Sequence, residues 1–522
     1  MTAPRVRTDS YWMSSTPATA YPALDTDTRA DVAVVGAGIA GLSAAWELAA
    51  SGRSVVVLEA DRVAAGVTGF TTAKVTAQHG LVYARLTRSL GAEAARHYAA
   101  SQQEAVRRVA ELTERLGIDC ELEHRPAVCF AESPERVAEI AEEAEAAMNA
   151  GLTAGLSGGS GLPFPVAGTA IVPDQLQFHP RRYALALTED LRRRGGRVYE
   201  RTRVTELHEG APCRLRTETG RTVTADEVVI ATHYPVFDRA MLFSRLEPRR
   251  ELVVAAPIPA DRDPGGMYIT PEHNTRSVRT APYGDGRRLL IVTGETFRPG
   301  TVDVAEHFGE LSRWTAERFG VERIDYRWAA QDNHTTDGVP YIGPFHAGAE
   351  HTYVATGFGA WGMSSGVLSG LLITALIEGR PPEWAGLYDP RRLHPLAEAG
   401  AFVRSNAEVA RHLVGDRLPF THVDSVADIG PGQGALTRVD GERCAVYRDP
   451  SGALHAVSAV CTHLGCLVRF DDAEPSWDCP CHGSRFGVDG SVLQGPATAP
   501  LERRELGGAD EGAGGAGTVR SG

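Results

Sequence analysis

Six side chains near the C-terminus are of the types that hold metals or form disulfides. In CTHLGCLVRFDDAEPSWDCPCHGSRF, residues 461–486, Cys461, Cys466, Cys479 and Cys481 are interleaved with His463 and His482. Such a set builds a metal site, a disulfide knot, or both. A tetrahedral zinc site needs four thiolate or imidazole ligands, and C-x-H at 461–463 with C-x-x-H at 479–482 would supply them. Cys466 and Cys481, at matching places in the two halves, are then left over. The other four cysteines, Cys120, Cys129, Cys213 and Cys444, are scattered and read as core residues.

A second chemistry is written near the N-terminus. Gly36, Gly38 and Gly41 form G-x-G-x-x-G between an apolar β-branched run and an apolar helical stretch. The first glycine permits a tight turn, the second lets backbone approach a pyrophosphate, and the third lets helix pack on strand. Ala45 and Gly52 continue the pattern to Glu59, at the end of the next β-branched run, where a carboxylate suits a ribose diol and repels a 2′-phosphate. The βαβ unit by itself does not choose between FAD and NAD. One full fingerprint is present, so a separate nicotinamide site is not evident.

These residues need elements to position them. ADVAVVGAGIAGLSAAWELAASGRSVVVLEA, from Ala30, alternates strand, glycine turn, helix and strand. Polar helical stretches follow at 92–116 and 134–150, then a GLSGGSGLPFP loop, a helix over 180–195, strands near 198–207 and 213–217, and the strand EVVIAT at 227–232. Residues 251–295 read as strands with turns, 304–319 as a helix, and HTYVATGFG as a further apolar strand. The expected organisation is an N-terminal extension over 1–29 and an α/β oxidoreductase region over 30–390, with a β-rich substrate domain inserted in its Rossmann-type fold. A helical connector over 391–415, a small all-β domain over 416–506 and a disordered tail over 507–522 follow.

Composition narrows the class. At 522 residues the chain is long enough for two or three domains, and 23% charged with 43% hydrophobic residues describes a globular protein. The longest apolar candidate, Gly366 to Glu378, is too short to span a bilayer and reads as a buried helix. A formal net charge of −13 opposes nonspecific binding to nucleic acid or an anionic membrane. The first residues show neither an apolar leader core nor a twin-arginine pair, which gives a cytoplasmic expectation.

The order of the later segments carries a family resemblance. ADEVVIATHYP (225–235), DGVPYIGP (337–344) and ATGFGAWGMSSGVLSG (355–370), following the dinucleotide turn, resemble the D-amino-acid-oxidase-like FAD oxidoreductases over about Asp31 to Gly379. The resemblance implies FAD, with Gly357, Gly359, Trp361, Gly362 and Met363 near the isoalloxazine or ribityl chain. GVTGFTTAKVTAQHG (66–80) is a second place where such proteins line the cofactor, and it contains Lys74. A lysine there would activate oxygen or hold an anionic ring; the competing expectation is a solvated lysine. Arg279 would meet a substrate carboxylate or sit on the surface, and His179 and His233 would approach the ring or serve as ordinary loop histidines.

CTHLGC and CPCHGS resemble the Rieske [2Fe–2S] proteins. That resemblance implies Cys461 and Cys479 on one iron, His463 and His482 on the other, and a disulfide between Cys466 and Cys481 like that of the respiratory-complex branch. Two neutral imidazoles in place of thiolates raise a cluster's potential. Ser484 matches a serine that bonds a bridging sulfide and raises it further. Phe486 stands where that branch has a tyrosine, which implies a lower value within a span of roughly −150 to +300 mV.

Together the resemblances imply oxidation of a C–N bond in an amine or amino acid, with electrons leaving flavin through the cluster to an external acceptor such as a redox partner protein. Two other readings stay open at this point. In one, oxygen takes electrons from the flavin and the cluster is a sensor or structural element; in the other, the chain is a non-catalytic electron-transfer component. No separate 2-His-1-carboxylate motif is present, which argues against a terminal oxygenase.

Overall fold

The computed structural model describes residues 6–237, 242–415, 423 and 425–506. The expected tail over 507–522 lies outside the described residues, as do 416–422 at the expected start of the C-terminal domain. The chain forms two units: residues up to Arg298 with Ala305–Asn406, and Pro299–Val304 with the chain from Ala407 onward. The connector is the helix Pro395–Gly415, which belongs to the first unit up to Asn406 and to the second beyond it, rather than standing apart.

The first unit contains two sheets. In one, the strands Thr352–Thr356, Thr222–Ile230, Thr28–Val35, Val55–Leu58 and Arg197–Tyr199 run parallel in that order, with Tyr341–Pro344 antiparallel at one edge. Parallel strands are covered on both faces, which is why DVAVV and VVVL read as continuous apolar runs. The second sheet has nine strands, and along its main path Tyr326–Thr335, Leu246–Pro259, Arg287–Phe297, Ser277–Pro282, Met267–Ile269, Glu123–Ala131, Gly168–Gln177 and Lys74–Val75 lie side by side.

Two helices over the parallel sheet touch through their backbones. Helix Ile39–Ala50 follows the dinucleotide turn, and helix Gly362–Ile377 follows the last glycine-rich turn. A Cβ on Gly366 would lie 2.7 Å from Ile39 Cγ2, and one on Gly370 would lie 2.6 Å from the Ser43 carbonyl carbon. The apolar stretch expected as a buried helix is this one. Among the described residues, no helix is long and apolar enough to cross a membrane.

The N-terminal segment differs from the expected extension. From Arg7 it is part of the first unit: Arg7 exchanges backbone hydrogen bonds with Asp325 and Arg327, and Tyr11 and Trp12 are buried in the main core. Trp12 Nε1 donates to the Thr71 carbonyl at 2.6 Å. Adjacent large aromatic side chains gain more from burial than a loose arm allows.

In the second unit, Gly434–Val439, Glu442–Arg448 and Leu454–Ser458 form a three-stranded antiparallel sheet. Arg469–Asp471, Ser476–Asp478, Arg485–Gly487 and Val492–Gln494 form a four-stranded one. The core between their side chains includes Trp477, Phe486 and all four cysteines of the C-terminal motif.

The helix contact predicts that Gly370→Val lowers stability by about 2 kcal/mol, the usual cost of overpacking. Denaturant or thermal unfolding measures it. An unchanged midpoint would contradict the close approach of these helices.

Candidate redox sites

The first site is a cradle of backbone. Gly36 has φ +102°, and a Cβ there would lie 2.4 Å from the Ala231 carbonyl oxygen; a Cβ on Gly41 would lie 2.0 Å from the Gly36 oxygen. Both positions therefore require glycine. Gly38 is the N-cap of helix Ile39–Ala50 and brings no side chain of its own, while Thr68 Oγ1 accepts from Ile39 N at 2.9 Å; the positive end of the helix lies at the turn. Glu59 reaches back to the loop, accepting from Ala37 N at 2.7 Å and Asp61 N at 2.9 Å. Its burial pushes the carboxyl above the ordinary range, against those two bonds. A glycine turn at a helix N-terminus with a carboxylate at the next strand end fits the pyrophosphate and ribose of a dinucleotide.

The second glycine-rich turn leaves the parallel strand Thr352–Thr356 at the same end of the sheet. Gly357 and Gly359 have φ +73° and +58°, and a Cβ on Gly357 would lie 2.4 Å from Thr335 Cγ2. His233 belongs to the brace of this turn. Its carbonyl accepts from Thr356 Oγ1 at 2.6 Å, and its Nε2 lies 3.2 Å from Asp332 Oδ1. Asp332 Oδ2 in turn accepts from Ala360 N at 2.7 Å. Burial opposes ionisation of Asp332, yet the hydrogen bond and charge of His233, with His334, hold its carboxyl below the ordinary range.

Trp361 and Met363 follow at the start of helix Gly362–Ile377. Met363 is buried, and Trp361 lines a cavity with Lys74, Gln78, Cys129, Met267 and Ile269. Lys74 is only 8% exposed, so the solvated lysine is excluded. Its strand sits at the edge of the nine-stranded sheet, and Nζ bonds the Tyr268 carbonyl at 2.8 Å and Ser277 Oγ. Lys74, Thr76 and Gln78 all line the cavity, the period of two expected for one face of an extended segment.

Behind Trp361 lies His79, a residue the sequence reading passed over although it stands in the same segment. Its ring stacks on Trp361 with centroids 4.4 Å apart and planes 18° from parallel. Nε2 lies 2.7 Å from the Thr76 carbonyl, an acceptor, so the proton sits on Nε2 and Nδ1 accepts from Tyr98 Oη at 2.6 Å. Burial drives its pKa down to about 3 and keeps the ring neutral.

The remaining two candidates have structural roles. His179 is the N-cap of helix Pro180–Arg193, accepting from Arg182 N at 3.3 Å, while its Nε2 meets Ser15 Oγ at 3.0 Å. It is neither a loop histidine nor a lining residue of the cavity. Arg279 is buried, not on the surface. Its Nη1 donates to the carbonyls of Thr72, Ala73 and Phe178, at 3.1, 2.7 and 3.3 Å, and its guanidinium lies 5.3 Å over Trp12.

The cysteine–histidine motif folds as two loops of matching design. Cys461 O accepts from Gly465 N at 3.0 Å while Cys461 N donates to Cys466 O; Cys479 O accepts from Gly483 N at 3.0 Å while Cys479 N donates to Ser484 O. Gly465 and Gly483 have φ near +75°, which closes each loop. Cys466 and Cys481 are disulfide-bonded, tying one loop to the other. Cys461 and Cys479 remain free and buried, and the His463 and His482 rings approach edge to face with centroids 4.9 Å apart.

The side chains of Cys461 and Cys479 lie within hydrogen-bonding reach of each other, which holds the Cys461 thiol below the ordinary range and pushes Cys479 above it. Backbone N–H groups of His463 and Leu464 aim at the Cys461 sulfur, and those of Cys481 and His482 at the Cys479 sulfur. Two thiolates with amide donors and two imidazoles fit the mixed ligand set of a Rieske cluster. Ser484 is fully buried beside them, and Phe486 is buried opposite Trp477. Cys120, Cys129, Cys213 and Cys444 are buried and free.

Comparison with known proteins agrees with both sites. Residues 31–376 match the FAD dependent oxidoreductase family, and residues 420–505 match the Rieske [2Fe-2S] domain. The chain is 34% identical over 502 residues to YhfW of Bacillus subtilis (strain 168), which is named as a Rieske 2Fe-2S iron-sulfur protein; the match covers 95% of this chain and 98% of that one. It is 28% identical to the gamma-glutamylputrescine oxidoreductase of Escherichia coli (strain K12) over 71% of this chain and 89% of that one. The glycine oxidase structure from Geobacillus kaustophilus shares the fold, with TM-score 0.57 and 23% identity over 70% of this chain and 99% of that one.

The bonding of Arg279 predicts the behaviour of Arg279→Met. Four backbone carbonyls, those of Thr72, Ala73, Phe178 and Thr280, lose a buried donor, and an unsatisfied buried group costs about 1–3 kcal/mol. The variant is expected to unfold at lower denaturant concentration. A stable variant with a KM selectively raised for carboxylate-bearing substrates would instead make Arg279 a substrate ligand.

Proposed function

The chain belongs to the FAD dependent oxidoreductase family and carries a Rieske [2Fe-2S] domain; on that basis we propose that it oxidises a C–N bond of an amine or amino acid and passes the electrons singly through the cluster to an external acceptor. FAD supplies two-electron oxidation and the cluster one-electron transfer. The observation that carries the reading is the presence of both in one chain. Two relatives are named for nitrogen-bearing compounds, gamma-glutamylputrescine and glycine, which supports the choice of bond.

In this reading Gly36, Gly38, Gly41 and Glu59 hold the dinucleotide part of FAD, and the turn from Gly357 through Gly359, Trp361, Gly362 and Met363 faces the isoalloxazine end. Apolar Met267 and Ile269 exclude water from the cavity, and Trp361, stiffened by its stack on His79, forms one wall. Cys461 and Cys479 ligate one iron, His463 and His482 the other. The disulfide Cys466–Cys481 holds the two ligand loops together, and Ser484 donates toward the cluster. In this reading the reaction takes place in the cytoplasm, with a redox partner protein as the acceptor.

Anaerobic photoreduction tests the electron path. The Rieske electron paramagnetic resonance signal should grow as flavin absorbance bleaches, and Cys461→Ser should abolish it while FAD stays bound. A flavin that bleaches while a mediator-reducible cluster stays oxidised would defeat the internal path. Amino acids and polyamines, mixed anaerobically with the holoenzyme, should include at least one that bleaches the flavin.

A further inference from the structure

Of the 53 lysine and arginine residues in the chain, one is a lysine. Everywhere else a cation is needed, the chain uses arginine, whose guanidinium stays charged at physiological pH. The single amine, Lys74, lines the cavity beside Trp361, and no arginine lines it among the described residues. At this one position, in place of a guanidinium, the chain has an amine that can lose its proton.

The bonding of Nζ suits the neutral form. An ammonium has three N–H donors, whereas a neutral amine has two and a lone pair. Two acceptors are in place, the Tyr268 carbonyl oxygen and Ser277 Oγ, and among the described residues no carboxylate hydrogen-bonds Nζ. With both N–H groups so used, the lone pair is left for the cavity. The charged and titratable groups around it are Arg279 on Ser277–Pro282, Cys129 on Glu123–Ala131 and Glu251 on Leu246–Pro259.

Arg279 opposes a second positive charge. Cys129 stays a thiol because burial pushes it up to about 12, and burial likewise raises Glu251. Burial first, and Arg279 second, bring Lys74 down to about 7.

We propose that Lys74 is the proton acceptor of the substrate half-reaction: its neutral amine takes a proton from a substrate ammonium bound in the cavity. This rests on the amine reading above. An N–H bond of the substrate ammonium breaks and an Nζ–H bond forms. The substrate, now a neutral amine, then loses the adjacent C–H bond as hydride to the flavin, and the nitrogen lone pair becomes the second bond of a C=N iminium. The substrate carbon is oxidised by two electrons, FAD is reduced by two, and the proton on Lys74 returns to solvent on product release. An arginine could not perform the first step.

Because the chain holds one lysine, the holoenzyme labelled with [ε-13C]lysine gives a single side-chain resonance to follow by NMR. The expected midpoint is near pH 7, with the neutral form above it. A resonance at the ammonium position through pH 9, in enzyme that an amine reduces, would overturn the inference and leave the amine reading intact. Failure of every amine to bleach the flavin would overturn both.

Kinetics give the second measurement. The rate of flavin reduction should fall about tenfold per pH unit below 7, as Lys74 gains its proton. Lys74→Met and Lys74→Arg should both lose on the order of 100-fold at pH 7, with the rising limb moved to the substrate's own ammonium pKa. Retention of the wild-type rate and profile by Lys74→Arg would make the residue an anchor for an anionic group instead, as would a raised KM with unchanged kcat in Lys74→Met.

Discussion

The first unit depends on two helices meeting backbone to backbone. Gly366 and Gly370 lie where any Cβ would strike Ile39 and Ser43, so helices Ile39–Ala50 and Gly362–Ile377 approach more closely than side chains would allow. Each helix is entered from a glycine-rich turn at the carboxyl end of a parallel strand. Locking the helices therefore locks both turns at one end of the sheet, where loops of parallel α/β sheets bind ligands. The third parallel strand of the group, Thr222–Ile230, ends at the same place and delivers His233 to the brace of the second turn.

The nine-stranded sheet supplies the other wall, and buried arginine chemistry fixes its edge. Arg279 satisfies carbonyls of the 72–73 segment and of Phe178 together, and stacks on Trp12 from the N-terminal segment. A guanidinium presents its donors in a rigid fork, so one side chain can hold two separate stretches of backbone. Lys74 follows directly after the clamped residues, which sets its strand in register with Gln177. The side chain read as a possible substrate ligand thus holds the scaffold on which Lys74 is mounted.

What the sequence disclosed follows from the range of the contacts involved. The βαβ unit was legible because its strand, turn and helix are consecutive and Gly41 answers to the Gly36 carbonyl within that unit, although Gly36 itself faces the Ala231 carbonyl from a distant part of the sequence. The two cysteine loops were legible for the same reason: each closes on itself within five residues. Lys74, by contrast, meets Ser277 and Tyr268 across about 200 residues. His79 meets Ser364, and Trp12 meets Arg279, across comparable or longer distances. Burial of a polar residue by partners so remote leaves no local pattern, and for that reason His79 was missed, the N-terminal segment was read as a separate extension, and Lys74 was left between the cofactor and solvent. The alternation of Lys74, Thr76 and Gln78 was the one local sign of the cavity wall.

The titratable groups gathered here divide by what burial does to them. His79 and His179 are driven to about 3 with both ring nitrogens hydrogen-bonded, Cys129 is driven to about 12, and Asp332 is held ionised by its histidine. Each is fixed in one state across the physiological range, as a scaffold requires. Arg279, though lowered to about 9, keeps its charge at neutral pH and adds its field to the desolvation at Lys74. The same arrangement that freezes its neighbours leaves Lys74 balanced between two protonation states, and it does so at the wall of the cavity. A site that handles amines must have somewhere to put a proton, and among the residues lining this cavity the lysine is the group poised to take it.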